Sequence, residues 1–218
     1  DLVDQKRPRR IWRDLSQHHG VVEEGGVRVA AKKAQDNKSP EEFEIRLSGS
    51  GGQGLQLSAK IFARAFSDEG KFVAQSQSYE PTSRGGLSRS DLVVGQGEPD
   101  YPLATKVDFM LILDQLAVKK KDTAIGDGAL VIIDTRLVTD PPKGNFRVLA
   151  LPLSDTAIGL GNPRVANIVA LGAMVGEGNL CSLKVMETAI RQCVPKKFTD
   201  LNIAAFQEGL KLVSEKST

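Results

Sequence analysis

The sequence predicts an α/β fold: an open, mostly parallel sheet flanked by helices in a Rossmann-like three-layer arrangement, with an extended N-terminal arm. Two observations predict it. From residue 41 onward, short apolar runs alternate with stretches of helical periodicity. The first strand-like run also enters a glycine-rich turn that opens directly into a helix. Residues 41–218 form the α/β domain in this reading, and residues 1–40 form the arm.

The elements follow in order. Phe43-Glu44-Ile45-Arg46-Leu47 alternates as a strand does. After the turn, Leu55, Ala59, Phe62 and Phe66 recur at helical spacing, and Gly70 is placed to end that helix. Lys71–Gln75 reads as a second strand and Asp91–Val94 as a third. Val107–Leu113 and Gly128–Asp134 are nearly all apolar, the signature of strands covered on both faces. Phe146–Leu151 is the sixth strand. Helical patterns then run over 163–176, 182–193 and 198–214, the last carrying the stripe Ile203, Phe206, Leu210, Val213.

Composition narrows the function. The chain has 218 residues, with 29 Lys+Arg against 27 Asp+Glu and a formal net charge of +2. Such a balance excludes a protein that works through a global electrostatic field on nucleic acid. Two cysteines make neither a disulfide framework nor a four-thiolate cluster site. No apolar run approaches the ~20 residues of a membrane span. Asp1–Arg10 lacks the apolar core of a signal peptide. The expectation is a cytoplasmic protein with reduced cysteines.

The arm carries nine Lys/Arg against six Asp/Glu, including Lys6-Arg7-Pro8-Arg9-Arg10. Val21–Val29 has the pattern of a small hairpin turning at Gly25-Gly26. Three readings stand: a solvated tail, an arm across a partner subunit anchored by Trp12, and a basic nucleic-acid-binding tail. His18-His19 lacks a third ligand at metal-binding spacing.

Two motifs carry chemistry. Gly49, Gly51 and Gly54 fit G-x-G-x-x-G within Gly49-Ser50-Gly51-Gly52-Gln53-Gly54. Glycines let backbone approach a ligand closely, and the N–H groups at the helix start then face an anion. Lys60, about two helical turns on, adds a cation for a ligand lying along the helix. A nicotinamide dinucleotide would need an acid about 20 residues on. Gln75-Ser76-Gln77-Ser78 has none. A structural tight turn, another phosphate-bearing ligand and a partner's loop remain as readings. The second motif, Ser78 to Asp91, reads as a polar loop rich in Pro and Gly. Its Arg84-Gly85-Gly86 and Ser88-Arg89-Ser90 place guanidinium forks beside close-approach backbone. Both loops follow C-terminal strand ends, where open α/β sheets bind ligands.

Elsewhere the sequence offers no catalytic residue and no metal constellation. Cys181 and Cys193 fall on helical patterns among apolar neighbours and read as core. Asp114, Asp134 and Asp155 read as caps or solvated strand ends.

The stretch from about Glu42 to Lys211 resembles the gamma subunit of 2-oxoacid:ferredoxin (acceptor) oxidoreductases. The resemblance rests on Arg46-Leu47-Ser48 with the glycine turn and on Gln75–Tyr79 leading to Arg84-Gly85-Gly86. It continues in Ser88-Arg89-Ser90-Asp91, Asp100-Tyr101-Pro102, Asn167–Ala173 and Pro195-Lys196-Lys197-Phe198.

It implies a subunit of a complex that oxidatively decarboxylates a 2-oxoacid, joins the acyl group to coenzyme A and passes electrons to ferredoxin or NAD. Thiamine diphosphate with Mg, and [4Fe-4S] clusters, are then held by thiamine-binding alpha/beta-type subunits and a ferredoxin-like delta-type subunit. FAD or NAD is implied on an additional subunit where NAD is the acceptor. This chain itself holds no cofactor, and alone it is expected to be inactive. Gly49–Gly54, Lys60, Arg84, Gly85, Gly86, Ser88, Arg89 and Ser90 are carried over as contacts to coenzyme A phosphates or to a neighbouring subunit. Glu80 stands where such loops often have Gly, and Leu87 where a smaller residue is usual. The arm is not part of the usual short gamma subunit. It points to a specialised member, an aryl-oxoacid enzyme of the phenylglyoxylate type, with 2-oxoglutarate or pyruvate enzymes and a free-standing dinucleotide-binding module as the alternatives.

Overall fold

The structure, a computed structural model, describes residues 42–79, 85–97, 103–118 and 124–215. The arm with its hairpin, Trp12 and His18-His19, the residues Glu80 and Arg84, and Asp100-Tyr101-Pro102 lie outside them.

Six strands form one sheet: β1 (Phe43–Ser50), β2 (Phe72–Tyr79), β3 (Leu87–Gly95), β4 (Val107–Ile112), β5 (Ile125–Asp134) and β6 (Arg147–Leu151). Their spatial order is β2-β3-β1-β4-β5-β6. β1, β4, β5 and β6 pair in parallel, while β3 runs antiparallel to both β1 and β2. Every strand except β3 therefore points the same way, and the mostly parallel α/β sheet expected from the sequence is present. The helices are α1 (Leu55–Asp68), α2 (Leu153–Gly159), α3 (Ala166–Gly178), α4 (Leu183–Cys193) and α5 (Thr199–Ser214).

The two faces of the sheet are covered differently. Buried residues of all five helices join Ile45, Leu47, Leu92, Phe109, Leu111 and Ile132 in one core. The alternate residues of the same strands, Met110, Ile112, Val131 and Ile133, pack against the connecting segments through Ala104, Ala117 and Val138. The layers are helices, sheet and a covering of loops. Alternation explains the division, since successive strand residues face opposite sides. α3 is buried all round because α5 lies on it, and the two backbones nearly touch. A Cβ on Gly172 would collide with the Phe206 carbonyl, and one on Gly209 with the Val169 carbonyl.

A buried charge pair ties the loop face to the sheet. Arg46 on β1 donates through Nε and Nη2 to both Asp91 oxygens on β3, each at 2.9 Å, and through Nη2 to the Ala104 carbonyl at 3.0 Å. Glu44 accepts from the Thr105 and Lys106 N–H groups. The segment after residue 103 is thereby held across strand ends by two charged side chains of β1.

Several sequence expectations need correction. Residues 78–91 are not one long loop: Tyr79 still belongs to β2, and Leu87 already begins β3. The ladder favours extended backbone over the loop-forming composition of these residues, because each strand pairs residue for residue with its neighbour. Seven-residue α2 carries no periodicity long enough to be seen in the sequence. Cys181 precedes α4 rather than standing on it, because Ser182 caps that helix through Val185 N–H. Asp134 is not solvated. It is fully buried and accepts from the Ser154 hydroxyl and the Arg136 N–H. Among the described residues, no helix is long and apolar enough to cross a membrane.

The helix crossing generates a prediction. Gly209→Ala forces apart two backbones that cannot yield separately, and overpacking of this kind costs about 1–3 kcal/mol. Urea unfolding of the variant is expected to show a lower midpoint with an unchanged slope. An unaltered midpoint would mean that α5 is free to shift on α3.

Candidate functional site

The site is built around the turn between β1 and α1. Gly52 (φ 95°) and Gly54 (φ 75°) hold left-handed backbone, which side chains with a Cβ resist. Gln53 folds back over the turn. Its Oε1 accepts the Ser50 N–H at 2.7 Å, and its Nε2 donates to the Leu113 carbonyl just past β4 at 2.9 Å. The same side chain fills the space beside Gly49 that a Cβ there would need. The Gly51 N–H donates to the Gly86 carbonyl at 2.9 Å, tying the turn to the segment that enters β3. Asn167, near the start of α3, donates from Nδ2 to the Gly54 carbonyl and to Ser58 Oγ, both at 3.1 Å.

These bonds decide what remains open. Ser50, Gly51 and Gln53 have their N–H groups satisfied inside the protein. The N–H groups of Gly52, Gly54, Leu55, Gln56 and Leu57 carry no hydrogen bond among the described residues. They are the orphan donors of a helix start, where the helix dipole places partial positive charge. Beside them lies a cleft of about 450 Å³ lined by residues 50–56 with Gly85, Gly86 and Ser88. A second cleft of about 260 Å³ shares Gly52 and Gln53 and continues past Leu113. It runs between Leu137, Ile158 and Pro163, with Arg136 and Arg164 among its lining. Both lie at the C-terminal end of β1, where the chain first builds the sheet to one side and then to the other. Such a switch point is where open α/β sheets bind ligands.

The structure sorts the expected site residues. It brings together Gly49, Ser50, Gly51, Gly52, Gln53, Gly54, Gly85, Gly86 and Ser88. Lys60 is exposed on α1, lines neither cleft and acts electrostatically on Cys193 at the end of α4. Arg89 faces the opposite side of the sheet, 3.6 Å from Asp91. Ser90 is buried within the ladder. Strand alternation separates Arg89 from Ser88, a consequence hidden while the segment was read as a loop. Asn167, within the Asn167–Ala173 stretch, fixes the start of α1. The signal for it is a single amide opening an otherwise apolar helix. Arg46 and Asp91 are signalled in the same way, as opposite charges interrupting apolar strands.

A dinucleotide fold needs its second parallel strand beside the first, with a carboxylate at the end. Here the neighbour of β1 on that side is antiparallel β3, which puts the opposite strand end there, and Gln75–Ser78 carries no acid. Among the described residues, no three His, Cys, Asp or Glu side chains come together as a metal site.

The candidate site is therefore a turn of unbonded backbone donors on an α/β domain, held in place by side chains, with the Asp134 carboxylate and the Ser154 hydroxyl, hydrogen-bonded to each other, in the lining of the second cleft. Residues 44–212 match the model of the pyruvate ferredoxin/flavodoxin oxidoreductase family, and the chain belongs to that family. It is 39% identical over 176 residues to the 2-oxoglutarate synthase subunit KorC of Methanocaldococcus jannaschii, covering 79% of this chain and 94% of that one. The KorC subunit of Archaeoglobus fulgidus is 37% identical over 174 residues, covering 79% and 89% respectively. Among solved structures, the gamma subunit of the keto/oxoacid ferredoxin oxidoreductase from Geobacter sulfurreducens superposes with a TM-score of 0.69 at 40% identity, over 78% of this chain and 96% of that one. The 2-oxoglutarate:ferredoxin oxidoreductase from Magnetococcus marinus shares the fold, with a TM-score of 0.72 at 21% identity, over 81% of this chain and 32% of that one. The gamma-subunit resemblance read from the motifs is borne out.

Burial pushes the Cys181 thiol up to about 12, with Glu69 reinforcing the shift and Lys71 opposing it. Thiolate is the reactive form, so iodoacetamide near pH 8 is expected to spare Cys181 in the native chain and to label it after unfolding. The protonated thiol is the form the fold favours. Its contribution is complete below the ordinary thiol pKa of 9.0 and is lost as pH rises from there towards about 12. Rapid native labelling of Cys181 would contradict the burial.

Proposed function

We propose that this chain is the gamma subunit of a 2-oxoglutarate:ferredoxin oxidoreductase, and that its glycine turn receives a phosphate of coenzyme A beside the catalytic subunits. The observation that carries the site is the set of N–H groups, those of Gly52 and of Gly54 to Leu57, that carry no hydrogen bond among the described residues. A phosphate held there accepts several charge-assisted hydrogen bonds without any side chain having to reorganise. The substrate reading rests on the two KorC relatives, both 2-oxoglutarate synthase subunits at 37–39% identity. The phenylglyoxylate expectation, drawn only from the presence of the arm, gains nothing from these relatives and gives way to its 2-oxoglutarate alternative.

In this reading the carbanion chemistry belongs to thiamine diphosphate with Mg on partner alpha/beta-type subunits, and the clusters belong to a ferredoxin-like partner. The present chain binds, orients and shields. Gln53 and Gly51 hold the turn so that its N–H groups face outward. Asn167 fixes the first turn of α1. The narrower cleft beyond Gln53, walled by Leu137, Ile158 and Pro163, gives an apolar stretch of the carrier a dry surface.

The test uses the assembled complex. A Cβ at Gly52 meets nothing within 4 Å, so it projects into open space, but φ 95° makes it costly. Gly52→Ala is expected to raise KM for coenzyme A about tenfold, the loss of roughly one charge-assisted hydrogen bond, with KM for 2-oxoglutarate unchanged. Should the coenzyme A constant stay put while subunits dissociate, the turn is an interface element instead. Pyruvate outcompeting 2-oxoglutarate in kcat/KM would refute the substrate assignment.

A further inference from the structure

We propose that residues 1–41 fold back over one corner of this chain's own sheet, with Trp12 seated on a patch formed by Phe72, Ala74 and Val93. The proposal is independent of the coenzyme A reading. Lys71, just before β2, and Val73 of β2 face the helices: Lys71 Nζ lies over the Phe43 and Phe66 rings, and Val73 packs on the helix-side core. Alternation therefore turns Phe72 and Ala74 to the other face. Val93 lies there too, because its neighbours Leu92 and Val94 belong to the helix-side core. Ala74 and Val93 are directly paired across the ladder, with Phe72 one step away opposite Gly95. None of the three belongs to either hydrophobic core. Phe72 is 50% exposed, although it sits at the start of an eight-residue strand.

The same corner carries an unprotected edge. β2 is the outermost strand and pairs with β3 without a bulge, and from Phe72 to Tyr79 it has no proline and no charge. Soluble proteins normally blunt such an edge with one of these devices or cover it. Among the described residues no strand pairs with its outer side.

The occupant follows from where the chain enters. The first described residue, Glu42, stands at this corner: a Cβ on Gly95 would lie 3.6 Å from Glu42 Cγ, and Gly95 is the ladder partner of Phe72. The family match begins only at residue 44, so the 41 residues before the described part are an addition delivered beside the bare edge. Tethering makes their docking intramolecular, at an effective concentration no free partner matches. Ile11-Trp12 supplies the apolar mass for the patch, and Val27-Arg28-Val29 the alternation suited to an edge.

Trp12 is the single tryptophan, so its fluorescence reports on the arm alone. In the full chain we expect blue-shifted emission, weak quenching by iodide and slow hydrogen exchange at alternate β2 amides. Phe72→Asp, at an exposed position, is expected to shift the emission to the red and to abolish the slow exchange while far-UV circular dichroism is kept. Phe198→Asp, at another exposed aromatic, is expected to change neither. Three results would each overturn the proposal. The first is wild-type Trp12 as quenchable as in the unfolded chain. The second is blue emission insensitive to Phe72→Asp. The third is β2 protection that grows with protein concentration, which assigns the covering strand to a second copy.

Discussion

The fold and its site both depend on how a few backbone N–H groups are satisfied where β1 ends. Buried or half-buried N–H groups must find acceptors. A helix start supplies several that have none within the helix. Here the protein fills a defined subset of them. Gln53 takes the Ser50 donor and grips β4 with the other end of its amide. The Gly86 carbonyl takes the Gly51 donor and so binds β3 to the same turn. Three strands converge on one turn, and the donors left over among the described residues belong to Gly52, Gly54 and the first residues of α1. Side chains that orient the donors thus leave the remaining ones open.

That cradle needs a firm base, and the sequence supplies it on both faces of the sheet. On the helix side, α1 is located by Asn167 of α3, and α3 is located by α5 through the paired small residues Gly172 and Gly209. On the loop side, buried Arg46 and Asp91 form a bidentate pair between β1 and β3. A buried ion pair adds little net stability, because desolvation offsets most of the attraction, yet breaking it leaves an uncompensated charge. Its effect here is to fix the β1/β3 register. β3 carries Ser88 to the glycine turn and Arg89 to the opposite face, so a one-residue slip would exchange them.

How much of this was legible follows from which signals are local. The strands β1, β4, β5 and β6 and the long helices rest on periodicity within a dozen residues, and they were readable. The glycine turn was readable because its composition is its mechanism. The antiparallel insertion of β3 was not, because Ser78 to Asp91 has the composition of a loop and its extended form comes from pairing on both sides of β3. The fate of Lys60 was hidden for a related reason. Counting along a helix gives distance from the turn, but only the packing of α4 on α1 shows that Lys60 sits near Cys193. Gln53 was named for its place in a motif, whereas its two hydrogen bonds to separate strands exist only in three dimensions.

The openness of the trough finally argues for a subunit over a self-sufficient binding domain. Two or three hydrogen bonds from N–H groups to a phosphate contribute roughly 1.5–3 kcal/mol each. Association alone costs about 4–15 kcal/mol. An open turn with a few such bonds would by itself hold an anion only weakly. The same bonds strengthen when a second surface closes over them and excludes water, since the Coulomb term grows as the effective dielectric falls. The chain has positioned donors in one cleft and exposed Ile158 and Leu137 along the rim of the other. Exposed apolar residues at the mouth of a polar site are costly in a solitary protein and are expected at an interface core.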